Sequence, residues 1–237
     1  MKQKIYLLVS LGIILSILII DQSSKIWVKT HMHQGEEFLL FGLNWARIHF
    51  VENEGMAFGL SLGGATGKLV LSVFRILAVG FLFYLLHKMI KSKDRLALII
   101  SFSLILAGAI GNILDSAFYG MIFSASPFHG GQAILFPPEG GYAPFLMGSV
   151  VDMLYFPMYE GMFPQWVPVY GGESFEFFRP VFNIADSSIF SGICLFFINY
   201  RSHHSHELGM TRENNVEIQA DAETGKTPES EDSGAIQ

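Results

Sequence analysis

Four stretches of the chain are long and apolar enough to predict membrane-spanning helices. They cover residues 5–20, 69–86, 96–114 and 184–200. With a rise of about 1.5 Å per residue, such stretches are at the short end of what crosses a hydrocarbon core of about 30 Å. The first stretch continues as DQSSK at residues 21–25, without the small residues typical of a signal-peptide cleavage site. We therefore expect it to be retained as the first span.

The two long connections between the spans have compositions that predict folded structure. Residues 38–52 are rich in aromatic and β-branched side chains and end before an Asn-Glu-Gly sequence, which predicts strands followed by a turn. Residues 117–181 are rich in Gly, Pro, Phe and Tyr, and amphipathic aromatic rings concentrate at membrane interfaces. The predicted fold class is an all-α membrane protein with four transmembrane helices and a small β-rich, aromatic-rich element on the outer membrane-surface side.

The basic residues of the connections predict the orientation of the spans. The connection after the second span contains Lys88, Lys91, Lys93 and Arg95, whereas residues 114–181 contain a single basic residue, Arg179. Short loops rich in Lys and Arg remain in the cytoplasm. The sequence therefore predicts that both termini are cytoplasmic and that the two long connections lie on the outer side.

The composition is typical of a membrane protein, and most of the net charge lies at the C-terminal end of the chain. Hydrophobic residues make up 51% of the chain and charged residues only 15%, whereas soluble domains have about 25% charged residues. Residues 201–237 contain eight acidic and three basic residues, so they account for most of the net charge of −6. We expect this segment to be a disordered, acidic, cytoplasmic tail. With no basic patch to bind phosphates, nucleic acid is excluded as a partner.

Carboxylates and amides occur at the outer ends of the predicted spans. Charge close to hydrocarbon is energetically costly, so such residues usually have a function. Asp152 and Asp186 both follow apolar neighbours. If the two approach each other, like-charge repulsion favours one shared proton, which gives an acid and a base around a water molecule. The alternative is that each aspartate caps a helix. Residue type and position alone favour this capping interpretation.

Other polar residues near the same boundary have structural interpretations as well. Asp21 and Lys25 are four residues apart, which predicts an ion pair on one helix face. The amides of Asn53, Asn112 and Asn183 suit either a buried hydrogen-bond network or the binding of a peptide backbone. Ser149, Ser187 and Ser188 lack a His or Lys pattern that marks a serine nucleophile.

Five motifs follow one another along the four predicted spans. They are DQSSK at 21–25, VENEGMAFG at 51–59, GNILD at 111–115, VVDM at 150–153 and FNIADSSI at 182–189. Together, over about residues 1–200, they resemble the bacterial lipoprotein signal peptidase family, the type II signal peptidases. The resemblance implies a membrane aspartic endopeptidase that removes the signal peptide from diacylglyceryl-modified prolipoproteins, cutting before the lipidated cysteine.

The same resemblance assigns roles to individual residues. It implies that Asp152 and Asp186 are the catalytic pair that activates a water molecule. It further implies supporting or substrate-binding roles for Asp21, Lys25, Asn53, Gly55, Asn112, Asp115 and Asn183. No metal or organic cofactor is implied. The expected partners are the lipid-modified prolipoprotein and membrane lipid. We expect a monomer in the bacterial cytoplasmic (inner) membrane, with residues 1–200 as the peptidase domain and the active site near the outer (periplasmic) face.

Two departures from the family pattern affect these expectations. The family usually has Arg directly after the GNxxD motif, where this chain has Ser116, so we expect Arg75 or Arg179 to supply the missing charge. The family also keeps the next stretch short, whereas residues 117–149 form an insertion that we expect to extend the outer-surface element.

Two other functions use the same residues in different ways. A small transporter would relay protons through the aspartates, although the polar residues gather at one boundary rather than at mid-span. A non-catalytic binding module would use the long outer connections and keep the aspartates as helix caps.

Overall fold

The computed structural model describes residues 1–54, 64–157, 159–177 and 180–199. Met1–Leu195 form one compact unit, and a second unit begins at Phe196, of which only the last residues of a helix are described. The predictions for Gly55, for Arg179 and for the acidic tail fall outside the described residues.

Four apolar helices account for about half of the described chain. They are α1 (Lys2–His31), α2 (Gly64–Ser92), α3 (Leu96–Leu114) and a C-terminal helix, Ile184–Asn199. The first three are long and apolar enough to cross a membrane, and the C-terminal helix is shorter. Helix α3 has the bounds predicted from the sequence, whereas α1 continues eleven residues beyond the predicted span. It does so because Asp21, Lys25 and Lys29 are fully buried against other elements.

The outer surface of α1 is apolar over most of its length. Leu8, Leu15 and Ile19 are each more than half exposed, and their spacing places them on one side of the helix. In a helix of this length and composition, such a surface is suited to contact with lipid.

Helix α3 ends in an irregular turn that binds the insertion. Asp115–Tyr119 form a π-helical turn, followed by one further helical turn at Gly120–Ile122. Such a turn leaves carbonyl groups without their usual helical partners. Here the carbonyls of Ser116 and Ala117 accept hydrogen bonds from the amides of Gly148 (2.9 Å) and Leu146 (3.4 Å), so the end of the insertion is fixed on α3.

The strands form one antiparallel sheet and a separate hairpin. The sheet contains β1 (Glu37–Leu39), β2 (Arg47–Asn53), β3 (Val150–Tyr155) and β6 (Val181–Phe182), which lie in the order β1-β2-β3-β6. Strands β4 (Tyr159–Met162) and β5 (Ser174–Phe177) form the hairpin between β3 and β6. The prediction of strands within residues 38–52 is therefore confirmed, and so is the fold class of apolar helices with a small β element.

An apolar core joins the sheet to the end of α1 and to the insertion. Phe50 of β2, Val151 of β3 and Phe123 of the insertion are fully buried in it. They pack with Val28 and Met32 of α1. Because hydrophobic side chains from three segments share one core, the insertion, the sheet and α1 stabilise one another. The strand that carries Asp152 therefore rests on a rigid base.

Candidate active site

Polar side chains from five elements meet at the ends of the helices. They come from α1, the last residue of β2, the end of α3, β3 and the first turn of the C-terminal helix. These elements contain the described parts of all five sequence motifs. Every described motif residue that was assigned a role therefore lies at this one site.

A buried ammonium group lies at the centre of one half of the site. Lys25 Nζ is 2.9 Å from Asp21 Oδ2 and 2.8 Å from Asp115 Oδ2, and all three side chains are fully buried. Lys25 also donates a hydrogen bond to Asn112 Oδ1 at 3.0 Å. The predicted Asp21–Lys25 ion pair is confirmed, and Asp115 proves to be a second partner of the same lysine. Buried charges require such pairing, because desolvation is costly.

Asp21 also anchors the start of the C-terminal helix. Its Oδ1 accepts a hydrogen bond from the amide of Ala185 at 2.8 Å, which places a carboxylate at the positive end of the helix. Close packing against α3 makes this possible. A Cβ atom at Gly108 would lie 2.1 Å from the Ala185 carbonyl oxygen, and one at Gly111 would lie 2.8 Å from Asp21 Oδ2. Both positions therefore need glycine.

Asp186 forms a reciprocal cap with Asn183. The amide of Asp186 donates to Asn183 Oδ1 at 2.9 Å, and the amide of Asn183 donates to Asp186 Oδ2 at 3.3 Å. This pattern matches a capping box, with Asn183 before the helix and the acid three residues later. The capping interpretation is therefore right for Asp186. Its Oδ1 nevertheless accepts a further bond, from Asn112 Nδ2 at 2.8 Å, which ties it to α3.

Asp152 lies in the middle of the sheet, where it cannot cap a helix. The capping interpretation is therefore wrong for Asp152, because VVDM forms the buried strand β3 rather than a span end. Its Oδ1 accepts a hydrogen bond from Asn183 Nδ2 at 2.8 Å, and its Oδ2 accepts one from Asn53 Nδ2 at 3.2 Å. Burial raises the pKa of Asp152 to about 7, and the charge of Asp186 adds to this increase. The two amides and Lys25 oppose it.

Two asparagines link the aspartates. Asn183 Nδ2, which donates to Asp152, is also 3.0 Å from Asn112 Oδ1, and Asn112 Nδ2 donates to Asp186. Asn112 Oδ1 in turn accepts from Lys25. The two carboxylates are thus connected through neutral amides, and this bridge is attached to the buried lysine. Such a network fixes both carboxylates in one arrangement.

Asp115 also holds the strand that carries Asp152. Its Oδ2 accepts a hydrogen bond from the backbone amide of Val151 at 3.3 Å. Its Oδ1 accepts one from Gln22 Nε2 at 2.9 Å. The carboxylate therefore joins α1, α3 and β3 at a single point.

Arg75 of α2 supplies a cation near the position of the missing family arginine. Its Nη1 donates to Ser116 Oγ at 3.2 Å. Its guanidinium group interacts electrostatically with Asp186, Asp115 and Asp152, most strongly with Asp186. Of the two expected substitutes, Arg75 therefore lies beside the site. Asp115 itself is paired with Lys25.

Two contacting residues were not identified from the sequence. Gln22 lies inside the first motif and bonds with Asp115 and with the Gly111 carbonyl (3.2 Å), while it accepts a hydrogen bond from the Tyr119 hydroxyl. Lys68 Nζ is 3.4 Å from Ser149 Oγ, so this serine does have a lysine beside it. A basic residue in an otherwise apolar helix is the signal that identifies Lys68.

The carboxylates of the site raise the question of a metal ion. Among the residues that the structure describes, no three His, Cys, Asp or Glu side chains are arranged so that they could hold one.

Comparison with known proteins places this arrangement in a family. The model of the signal peptidase (SPase) II family matches residues 13–201. A lipoprotein signal peptidase of Porphyromonas gingivalis is 53% identical over 190 residues, which cover 80% of this chain and 81% of that protein. A lipoprotein signal peptidase of Amoebophilus asiaticus is 35% identical over 194 residues, covering 81% and 77% of the two chains.

A solved structure shows the same fold. It is described as a bacterial membrane enzyme determined by the in meso method at 2.3 Å resolution. The TM-score is 0.52 at 24% sequence identity, and the match covers 84% of this chain and 90% of that one.

Proposed function

The chain belongs to the signal peptidase II family, and on that premise we propose that it removes the signal peptide from diacylglyceryl-modified prolipoproteins, with Asp152 and Asp186 as the catalytic pair. Family membership favours a peptidase over the transporter and the binding module that the sequence left open. The observation that carries the assignment of the pair is the amide bridge through Asn183 and Asn112, which holds the two carboxylates in one buried site.

The pair is suited to acid–base chemistry because its proton is available near neutral pH. The raised pKa of Asp152, about 7, allows one carboxyl group to be protonated while the other is ionised. The ionised carboxylate takes a proton from water as the water oxygen bonds to the scissile carbonyl carbon. The protonated carboxyl donates its proton to the carbonyl oxygen, which gives a tetrahedral diol. When the C–N bond breaks, the carboxyl group that received the water proton passes it to the departing amine, and the diol returns a hydroxyl proton to the other carboxylate.

The remaining polar residues position the reactants in this proposal. Asn53, Asn112 and Asn183 orient the carboxylates, and Arg75 balances part of the negative charge of the three nearby aspartates. Asp21, Lys25 and Asp115 hold the helices and β3 together. The lipid on the substrate cysteine remains in the bilayer, which brings the scissile bond to the site at high effective concentration.

The proposal also covers the membrane orientation and the oligomeric state of the enzyme. The distribution of Lys and Arg supports cytoplasmic termini and an active site at the outer face of the inner membrane. The mechanism proposed here uses no residue from a partner subunit, so the proposal takes a monomer as the active form.

The test uses two conservative variants in a purified system. Asp152→Asn and Asp186→Asn keep the size of each side chain but remove its acid–base chemistry. We expect each to lower the cleavage rate of a synthetic diacylglyceryl-prolipoprotein at least about 10³-fold. The matched control is Asp94→Asn, at the exposed turn between α2 and α3, which should cleave at the wild-type rate.

Two outcomes would overturn the assignment. One is a folded Asp152→Asn or Asp186→Asn variant that still cleaves at the wild-type rate. The other is complete loss of wild-type cleavage in EDTA that added divalent metal restores, since this would assign the chemistry to a metal ion.

A further inference from the structure

A second buried lysine lies outside the catalytic network. Lys29 is one helical turn after Lys25, and its side chain is fully buried. Its ammonium group forms an ion pair with Glu52 of β2 and donates to Ser126 Oγ of the insertion at 2.8 Å. Ser126 Oγ also bonds with Glu52 Oε1 at 2.5 Å. The mechanism proposed above does not use any of these three groups.

The insertion encloses this cluster. Lys29 Nζ lies 5.4 Å from the ring centre of Phe123 and 5.0 Å from that of Tyr142, both within favourable cation–π distance. The Tyr142 hydroxyl accepts a hydrogen bond from the amide of Ser149 at 2.7 Å, immediately before β3 begins. The insertion thus supplies both the walls around the ammonium group and a support for the catalytic strand.

Glu52 and the catalytic Asp152 lie on opposite faces of the same pair of strands. Val51 pairs with Asp152, Glu52 with Val151 and Asn53 with Val150. Because side chains alternate along a strand, Val51 and Asn53 share a face with Asp152, whereas Glu52 shares the other face with the core residue Val151. The face that contains Asp152 carries the Asn53–Asp152 hydrogen bond of 3.2 Å, and the opposite face carries the Lys29–Glu52 pair.

The end of β2 next to the site pairs with β3 separately from the rest of the strand. The register shifts between Ile48 and Val51, so the three pairs next to the site form a separate segment of the ladder. Glu52 is the middle residue of that segment. Its carboxylate attaches the β2 side of this segment to Lys29 of α1.

We propose that the Lys29–Glu52–Ser126 cluster is a positioning device that fixes the end of β2 so that Asn53 presents its amide to Asp152. This inference rests on the proposed function. Lys29 and Glu52 are positioning residues, since they act on the reaction only through Asn53 and Asp152. The insertion, through Ser126, Phe123 and Tyr142, is then part of the catalytic apparatus of this chain.

The test must separate positioning from stability. Lys29→Met alone leaves a carboxylate without its cation and is expected to destabilise the protein, so the informative variant is Lys29→Met/Glu52→Gln, which removes both charges. We expect its unfolding midpoint to stay close to that of the wild type. Its kcat should fall about 10- to 100-fold with KM changed less than about three-fold, because misplacement of a group at the reacting centre lowers the rate rather than substrate binding.

A matched pair on the same sheet serves as the control. Arg47 Nη1 lies 3.0 Å from Glu37 Oε1 at the other end of β2, and both side chains are partly exposed. The variant Glu37→Gln/Arg47→Gln should keep kcat within about two-fold of the wild type, as expected for a surface ion pair.

Two results would overturn positioning by this cluster. The first is a wild-type kcat in the folded Lys29→Met/Glu52→Gln variant. The second is a loss of activity that only follows the loss of folded protein. Failure of the proposed function is distinguishable from both, because it appears as activity in Asp152→Asn itself.

Discussion

Two pairs of carboxylates lie in one network but are held by different groups. Asp21 and Asp115 share the ammonium group of Lys25, at 2.9 and 2.8 Å. Asp152 and Asp186 instead accept hydrogen bonds from asparagine amides, and in the described part of the chain no lysine or arginine lies within ion-pair distance of either. A paired cation balances the charge of a buried carboxylate, whereas amide donors bind the carboxylate without cancelling its charge. The first pair is therefore suited to structure and the second to chemistry.

Removal of the shared cation, Lys25, is expected to have the largest effect. Lys25→Met leaves Asp21 and Asp115 buried without a counter-charge, and we expect it to lower the free energy of unfolding by about 3–5 kcal/mol. Denaturant titration of the purified protein in detergent measures the change. The triple variant Lys25→Met/Asp21→Asn/Asp115→Asn should recover most of the stability. Wild-type stability of Lys25→Met would contradict a structural role for the first pair.

The link between the two pairs is tested at Asn112. This side chain accepts from Lys25 and donates to Asp186, so Asn112→Ala separates the catalytic carboxylates from the structural pair. We expect kcat to fall about 10- to 100-fold, because the carboxylate is no longer held in position. Asn44→Ala, at an exposed position between β1 and β2, is the control and should have no effect. A kcat for Asn112→Ala equal to that of the control would mean that the bridge is dispensable.

The raised pKa of Asp152 predicts a pH-dependent stability. The pKa of Asp152 rises on folding to about 7 from an ordinary value of 3.8, so the folded state binds the proton more tightly than the unfolded state. Stability is then lost as pH rises from about 4 through about 7, by at most a few kcal/mol. Asp152→Asn removes this loss, so its unfolding midpoint relative to wild type should be higher at pH 8 than at pH 5. The same difference at both pH values would refute a raised pKa.

The smallest effect is expected at Ser149. Lys68 Nζ lies 3.4 Å from its hydroxyl, an arrangement that could in principle activate a serine nucleophile. If the amide-held aspartates carry the reaction, Ser149→Ala should keep kcat within about two-fold. The same cleavage assay measures this, with Ser92→Ala, at the exposed end of α2, as the control. A loss as large as that of Asp152→Asn would transfer the chemistry to the serine.

Much of the helical frame could be predicted from hydrophobicity, and most of the site from its motifs. Helix α3 begins and ends where the apolar run does. The polar network was harder to predict, because the contacts of Gln22 and Arg75 depend on residues about 40 to 90 positions away along the chain. Residue type and position favour a cap at Asp152 because a short strand buried on both faces is as apolar as the end of a helix.

The glycines of α3 have a consequence for the catalytic geometry. Gly108 and Gly111 let the first turn of the C-terminal helix, which contains Asp186, approach the backbone of α3 closely. A helix rises about 1.5 Å per residue, so a slip by one residue along this contact would move Asp186 by more than the tolerance of a catalytic group, about 0.5 Å. The two glycines thus set the position of Asp186 along α3, and so its position relative to Asp152. This stretch of α3 therefore fixes the spacing of the two aspartates as well as packing the helices together.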